Sequence, residues 1–187
     1  MFNDLKEYAQ LNKVPIIRDD SLSLLLQIIK DNNIKDVLEL GTAIAYSAIN
    51  IASLGVRVTT LERNKDMYLE AQKNISKYNL SQLIDSILVD ALEYTPNKTF
   101  DLIFIDAAKA QNTKFVERYT PFLKQGGYII VDNINFHGLK STDQGISKNL
   151  RSMLKKIEAF KEYIMNNPLF DTYFDNSGDG LSISRLK

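Results

Sequence analysis

The sequence predicts an α/β fold with a doubly wound, mostly parallel sheet that ends in an antiparallel hairpin. Two observations support this prediction. Short apolar runs alternate with amphipathic stretches through most of the chain, as in right-handed strand–helix–strand units. Near the C-terminus, two strand-like runs flank Asn176-Ser177-Gly178-Asp179-Gly180, which is a strong turn signal. We expect a single domain over residues 1–187.

Each element is predicted from the spacing of its apolar residues. A helical lead over residues 1–33 comes first, because Leu22, Leu25 and Ile29 recur at helical spacing. The predicted strands cover residues 37–40, 56–61, 84–89, 100–105, 128–131, 170–174 and 181–186. The predicted helices cover residues 46–54, 64–77, 113–123 and 146–165. We expect Gly126-Gly127 to end the third of these helices.

Charge and composition exclude several classes of protein. The chain has 23 basic and 23 acidic residues, so no overall basic field indicates a nucleic-acid partner, although a local patch can suffice. It has no cysteine, which excludes disulfides, thiolate metal sites and cysteine nucleophiles. The N-terminal residues lack the pattern of a signal peptide, and the apolar stretch 22–29 is too short for a bilayer. We therefore expect a cytoplasmic protein without a membrane partner.

Three predicted strands end in residues suited to an adenosine-bearing ligand. In a doubly wound sheet, ligands bind beyond the carboxyl ends of the strands. Gly41 follows the first strand and allows close backbone approach, Glu62 ends the second and can accept ribose hydroxyls, and Asp90 follows the third. Each signal alone could be structural. Ala43 and Ala45 interrupt the glycine fingerprint of NAD sites, which favours a cofactor without pyrophosphate.

The fourth and fifth strands end in a set of oxygen ligands. Asp106 follows one strand, and Asp132-Asn133 ends the other. Two carboxylates and a carboxamide suit Mg²⁺, although each Asp could instead cap the following helix. Lys109 is either a surface lysine or a general base, because desolvation and a nearby cation favour the neutral amine that a base requires.

These motifs resemble the cation-dependent, catechol-type class I O-methyltransferases. The resemblance rests on Glu39-Leu40-Gly41-Thr42-Ala43-Ile44-Ala45-Tyr46-Ser47, Phe104-Ile105-Asp106-Ala107-Ala108-Lys109 and Asp132-Asn133, in that order. Within that group, the bacterial tRNA 5-hydroxyuridine methyltransferases are the most similar. That similarity rests on Glu7-Tyr8-Ala9 with Val14-Pro15-Ile16, on Ala107-Ala108-Lys109-Ala110-Gln111 and on Gly178-Asp179-Gly180. The resemblance covers nearly the whole chain.

The resemblance implies a Rossmann-like fold, S-adenosyl-L-methionine and Mg²⁺ or Mn²⁺ as cofactors, and a homodimer. It implies that Ser47 and the loop from Gly41 hold the methionyl group, with Glu39 in support. It further assigns the ribose to Glu62, the adenine to Asp90-Ala91, and a backbone contact to Ile17.

The resemblance also assigns the catalytic groups. Asp106 would serve both the metal and the cofactor amine, Asp132 and Asn133 would complete the metal site, and Lys109 would be the base. Two features depart from the family pattern: Ala45 replaces a glycine, and the N-terminal lead is shorter. The methyl group of Ala45 is tolerated where φ is negative.

The loop after Asn133 contributes little to the prediction. His137 is the only histidine, so a histidine-rich metal site is excluded. We expect His137 to be an ordinary loop residue, and Phe136 to lie near the site.

Three functions remain open on the sequence. The first is methylation of 5-hydroxyuridine in a tRNA anticodon loop to 5-methoxyuridine, because its two adjacent oxygens can chelate a metal. The second is methylation of a small vicinal diol such as a catechol. The third is a cofactor-binding module without catalysis. Cations in the last third of the chain favour the tRNA, although Glu158 and Glu162 could balance them on a solvated helix face. These cations are Lys140, Lys148, Arg151, Lys155, Lys156 and Lys161.

Overall fold

A computed structural model of the chain describes residues 2–135 and 138–187. Its helices are α1 (Asn3–Asn12), α2 (Asp19–Asp31), α3 (Tyr46–Ala52), α4 (Lys65–Lys77), α5 (Asn112–Tyr119) and α6 (Lys148–Met165). Its strands are β1 (Asp36–Leu40), β2 (Arg57–Glu62), β3 (Ile84–Leu88), β4 (Phe100–Ile105), β5 (Leu123–Asp132), β6 (Phe170–Asp175) and β7 (Leu181–Leu186). Within the described ranges, no helix is long and apolar enough to cross a bilayer.

The strands form one sheet in the order β3-β2-β1-β4-β5-β7-β6. The first five are parallel, whereas β7 pairs antiparallel with both β5 and β6. The predicted doubly wound α/β fold with a C-terminal antiparallel hairpin is therefore confirmed.

Helices cover both faces of the sheet. Apolar residues of α1 to α4 form one core with one face, and residues of α5 and α6 form a second core with the other. All five residues of β1 are buried, because a central parallel strand is covered on both sides. Polar side chains of the central strands can reach solvent or a ligand only near the strand ends.

The predicted third helix is wrong at its C-terminal end. Helix α5 stops at Tyr119, and a 3₁₀ turn follows over Thr120–Phe122, in which Pro121 cannot continue the helical hydrogen bonds. Strand β5 then starts at Leu123 and runs through Gly126-Gly127 instead of beginning after them. A Cβ atom on Gly127 would lie 2.8 Å from the carbonyl oxygen of Asp101, so this glycine allows close contact with β4 rather than ending a helix.

A group of ion pairs closes the amino end of the sheet. The Asp36 carboxylate accepts hydrogen bonds from Arg57 Nε at 2.9 Å and Nη2 at 2.6 Å, and from Lys98 Nζ at 3.3 Å. Lys124 Nζ lies 2.8 Å from Asp101 Oδ1, and Asp101 Oδ2 accepts the backbone N–H of Asp36 at 2.8 Å. The bonds from Arg57, assisted by Lys98, lower the pKa of Asp36 despite its partial burial.

We predict that Asp36→Asn destabilises the protein at neutral pH by about 1.5–3 kcal/mol, the scale of hydrogen bonds to a charged group. Because the folded pKa of Asp36 is lowered, its contribution is present above the ordinary pKa of 3.8 and is lost as pH falls through the folded value. Urea unfolding from pH 7 down to pH 2 should show the variant approaching the wild type at the acid end, below pH 3.8. Asp31→Asn, at an exposed site, is the control; a gap that stays constant with pH would contradict the prediction.

Candidate active site

The chain reverses its winding direction between β1 and β4, and a crevice opens there at the carboxyl end of the sheet. The backbone of Gly41 has φ +100°, and a Cβ atom there would lie 2.5 Å from the carbonyl oxygen of Asp106. Only glycine fits this close approach, so Gly41 lets the loop after β1 lie against the end of β4.

A cavity of about 490 Å³ occupies this crevice. It brings together eight of the predicted site residues: Gly41, Glu62, Asp90, Ala91, Asp106, Lys109, Asp132 and Asn133. Ile17 is buried beside the cavity, and its neighbours Pro15, Ile16 and Arg18 form the N-terminal wall. Glu39 and Ser47 lie behind the cavity wall rather than on it.

Glu39 is a fully buried carboxylate supported by two hydroxyl groups. Ser47 donates to its Oε1 at 2.5 Å and Thr60 donates to its Oε2 at 2.5 Å. Burial nevertheless raises the pKa of Glu39 to about 7, because two hydroxyl donors do not replace full hydration of the anion. The Glu39–Ser47 contact joins β1 to α3 and fixes the loop between them.

Glu62 holds the same loop from the next strand. Its Oε2 accepts the backbone N–H of Ala43 at 2.8 Å, and its Oε1 accepts that of Asn64 at 2.8 Å. The loop is strained, since Ala43 has φ +45° and Ala45 has φ +67°. Ala45 therefore does not adopt the negative φ at which its extra methyl group is tolerated without strain, and the bonds to Glu62 help to hold this conformation.

Two carboxylates meet at the ends of β4 and β5. Asn133 Nδ2 lies 3.0 Å from Asp132 Oδ2 and 3.5 Å from Asp106 Oδ1, so its amide bridges them. Burial and repulsion by Asp132 raise the pKa of Asp106 well above its usual range, and burial raises that of Asp132 to about 6. Asp132 Oδ1 is buried and has no hydrogen-bond partner in residues 2–135 and 138–187. A cation would satisfy this oxygen and remove the repulsion, so the residues present fit a divalent metal.

Lys109 lies on a 3₁₀ turn (Lys109–Gln111) just after β4 and lines the same cavity. Its positive charge lowers the pKa of both Asp106 and Asp132, partly offsetting burial. The Lys109 side chain therefore lies near both carboxylates.

An ion pair that the sequence does not predict lies at the cavity mouth. Arg18 Nε lies 2.9 Å from Asp179 Oδ2, and Ser21 Oγ donates to the carbonyl of Ser177 at 2.9 Å. These contacts fasten the N-terminal wall to the β6–β7 turn. In the sequence, Gly178-Asp179-Gly180 indicates a turn and a family resemblance, but nothing there identifies Arg18 as the partner of Asp179. Phe136 and His137 lie outside the described residues.

The profile of an O-methyltransferase family matches residues 3–187. The chain belongs to this O-methyltransferase family. Its match in the crystal structure of a Staphylococcus aureus protein, provisionally named a caffeoyl-CoA O-methyltransferase, has 42% identity and a TM-score of 0.93, covering 99% of this chain and 91% of that one. An O-methyltransferase from Bacillus cereus, solved in complex with SAH, shares the fold at 24% identity and a TM-score of 0.84, covering 99% and 90% of the two chains.

Two relatives have names that refer to small molecules. An Arabidopsis thaliana protein provisionally named a caffeoyl-CoA O-methyltransferase is 27% identical, covering 97% of this chain and 82% of its own length. A catechol O-methyltransferase from Niastella koreensis is 33% identical over 60% of this chain and 54% of its own length. The fold is thus that of a class I methyltransferase.

We predict that Glu39→Gln gains stability relative to the wild type as pH rises. The folded protein keeps a proton on Glu39 that the unfolded chain releases, so wild-type stability falls between the ordinary pKa of 4.5 and the folded value of about 7. The variant lacks this loss, and its relative gain across the interval should be on the order of 2–3 kcal/mol. Denaturant unfolding from pH 4.5 to 8 measures it, with Glu93→Gln as the exposed control. Parallel curves for wild type and Glu39→Gln would refute the assignment.

Proposed function

We propose that the chain is an S-adenosyl-L-methionine-dependent O-methyltransferase that uses Mg²⁺ or Mn²⁺ and methylates 5-hydroxyuridine in a tRNA anticodon loop. The observation that carries the proposal is the convergence of Asp106, Asp132 and Lys109 on one cavity, where Asp132 Oδ1 is buried and has no partner in the part of the chain that the structure describes. Gly41, Ala43 and Glu62 line the same cavity and would provide a place for the cofactor beside these groups.

The cofactor's parts match the chemistry of the cavity walls. The ribose hydroxyls would donate to Glu62, whose carboxylate is already fixed by two backbone N–H groups. The methionyl group would lie against the loop that begins at Gly41, which the Glu39–Ser47 contact supports from behind. The adenine would lie near Ala91, which lines the same cavity.

The chain's residues would deprotonate and orient the acceptor. Lys109 Nζ would take the proton of the attacking hydroxyl, because it lies on the same cavity as the two carboxylates. Asp106, Asp132 and Asn133 would hold the metal, which when bound supplies Lewis acidity to two adjacent substrate oxygens. The buried position of Asp132 keeps bulk water from competing for this site.

Charges on α6 support the tRNA substrate. Lys148, Lys155 and Lys156 are exposed, and Lys148 and Lys155 are two helical turns apart on one side. Arg151 and Lys161 are engaged within the protein: Arg151 bonds the carbonyls of Ser141 and Asp143, and Lys161 bonds Asn135. Part of the cationic set is thus free to follow a phosphate backbone, and part supports the loop after β5.

A second candidate is a small vicinal diol. The names of the relatives, which refer to caffeoyl-CoA and catechol, favour it. Both candidates offer two adjacent oxygens to the same metal, so they share the site and differ in what lies outside it.

We predict that Mg²⁺ or Mn²⁺ raises the melting temperature of the wild type but not that of Asp132→Asn. Without metal, the variant should be more stable than the wild type at neutral pH, because one of two repelling buried charges is gone. Chelator should abolish methyl transfer, and added metal should restore it in the wild type alone. Asp85→Asn, at an exposed site on β3, is the control. Full activity in excess chelator would refute metal dependence.

We predict that the wild type converts 5-hydroxyuridine in tRNA to 5-methoxyuridine, detected by nucleoside mass analysis, and that activity falls as salt rises. The double variant Lys148→Glu/Lys155→Glu should raise KM for tRNA about tenfold or more, because it reverses two charges near the phosphate backbone. Methylation of a small catechol should be unchanged. Lys30→Glu/Lys35→Glu makes the same charge change elsewhere and should leave KM unaffected.

Efficient catechol turnover with no methoxyuridine in hydroxyuridine-containing tRNA would instead assign the small-molecule substrate. Cofactor binding without turnover of either substrate would indicate a non-catalytic module.

A further inference from the structure

Two side chains of the cavity wall, those of Asp132 and Gln111, have a buried polar atom without a hydrogen-bond partner among the described residues. In Gln111 this atom is Oε1. A buried carbonyl oxygen without a donor is costly, and native proteins retain few of them. A ligand that brings a donor to this position would remove the cost.

The position of Gln111 follows from the helix that it precedes. Phe115 and Tyr119 are four residues apart on α5 and share one face, and Gln111 is the last residue of the 3₁₀ turn directly before this helix. Tyr119 donates its hydroxyl to the carbonyl oxygen of Ala91 at 2.6 Å, and Phe115 lines the cavity. This face of α5 therefore covers the loop after β3, and Gln111 lies at the end of the face nearest β4.

The surroundings of Gln111 suit a flat aromatic ring. Ala91, Ala107 and Phe115 line the same cavity and present small or aromatic apolar groups. Asp90, the acidic residue beside them, already uses Oδ1 to accept the backbone N–H of Leu92 at 2.8 Å. The polar edge of a ring bound here would thus meet Gln111 Oε1, for which the described residues provide no donor.

We propose that Gln111 reads the adenine of the cofactor, its Oε1 accepting a hydrogen bond from the exocyclic amino group. The inference rests on the proposed function, since it requires an adenosine-bearing cofactor in this cavity. A carboxamide matches adenine because it offers an acceptor and a donor side by side, opposite the amino group and a ring nitrogen. Gln111 thereby sets the preference for adenine over purines that lack the amino group.

The test is calorimetric titration of S-adenosylhomocysteine and of its analogue with unsubstituted purine in place of adenine. Gln111→Leu should weaken S-adenosylhomocysteine about 5–30-fold, the range of one or two hydrogen bonds, and should change the affinity of the analogue less than twofold. Gln10→Leu, an exposed amide on α1, is the control and should bind both ligands as the wild type does.

A second readout separates binding from folding. Without ligand, Gln111→Leu should melt at or above the wild-type temperature, because it removes a buried oxygen that has no partner. An equal loss of affinity for both ligands, or no loss for S-adenosylhomocysteine, would overturn the role of Gln111 while leaving the proposed function intact. A wild-type protein that binds neither ligand would overturn the proposed function as well.

Discussion

The covering of both sheet faces by helices is the constraint on which the site depends. Because the central strands are buried along their length, their polar side chains reach solvent or ligands only where the strands end. The parallel arrangement of β1 to β5 brings those ends to a common edge, and the change of winding direction between β1 and β4 opens it into a cavity. Asp106, Asp132 and Glu62 are close together for this reason, although long stretches of chain separate them.

The same constraint makes the carboxylates costly. Asp106 and Asp132 are taken out of water beside each other, and one lysine and one amide only partly compensate. Such an arrangement is unfavourable for stability alone, and a bound cation is the simplest group that would make it favourable. The left-handed conformations of Ala43 and Ala45 are also unfavourable for stability alone. Such strain persists only where surrounding contacts fix the loop, and here Glu62 does so by accepting the backbone N–H of Ala43.

Much of this arrangement could be predicted from the sequence, because apolar runs with a polar residue at the end identify both a buried strand and a site residue. Strand β4 and the closing hairpin were predicted at nearly their observed bounds for that reason. The C-terminal end of α5 was not predicted correctly. By local rules Gly126-Gly127 ends a helix, whereas in the structure Gly127 allows close contact between β5 and β4. The Arg18–Asp179 pair joins residues 161 positions apart, and the unpartnered oxygen of Gln111 exists only in the folded chain. Neither leaves a local pattern.

The pKa values of buried carboxylates shift in opposite directions at the two ends of the sheet. At the amino end, Arg57 and Lys98 pair with Asp36 and lower its pKa, so the charged form stabilises the fold. At the carboxyl end, burial raises the pKa of Glu39 and Asp132, so their charged forms oppose folding near neutral pH. As pH rises from 4 to 7, the charge of Asp36 at the amino end therefore stays nearly constant. Over the same range, Glu39 and Asp132 at the carboxyl end lose protons and become negatively charged. Acquiring a cation becomes more favourable over the same interval, because binding then neutralises charge that the protein itself leaves uncompensated.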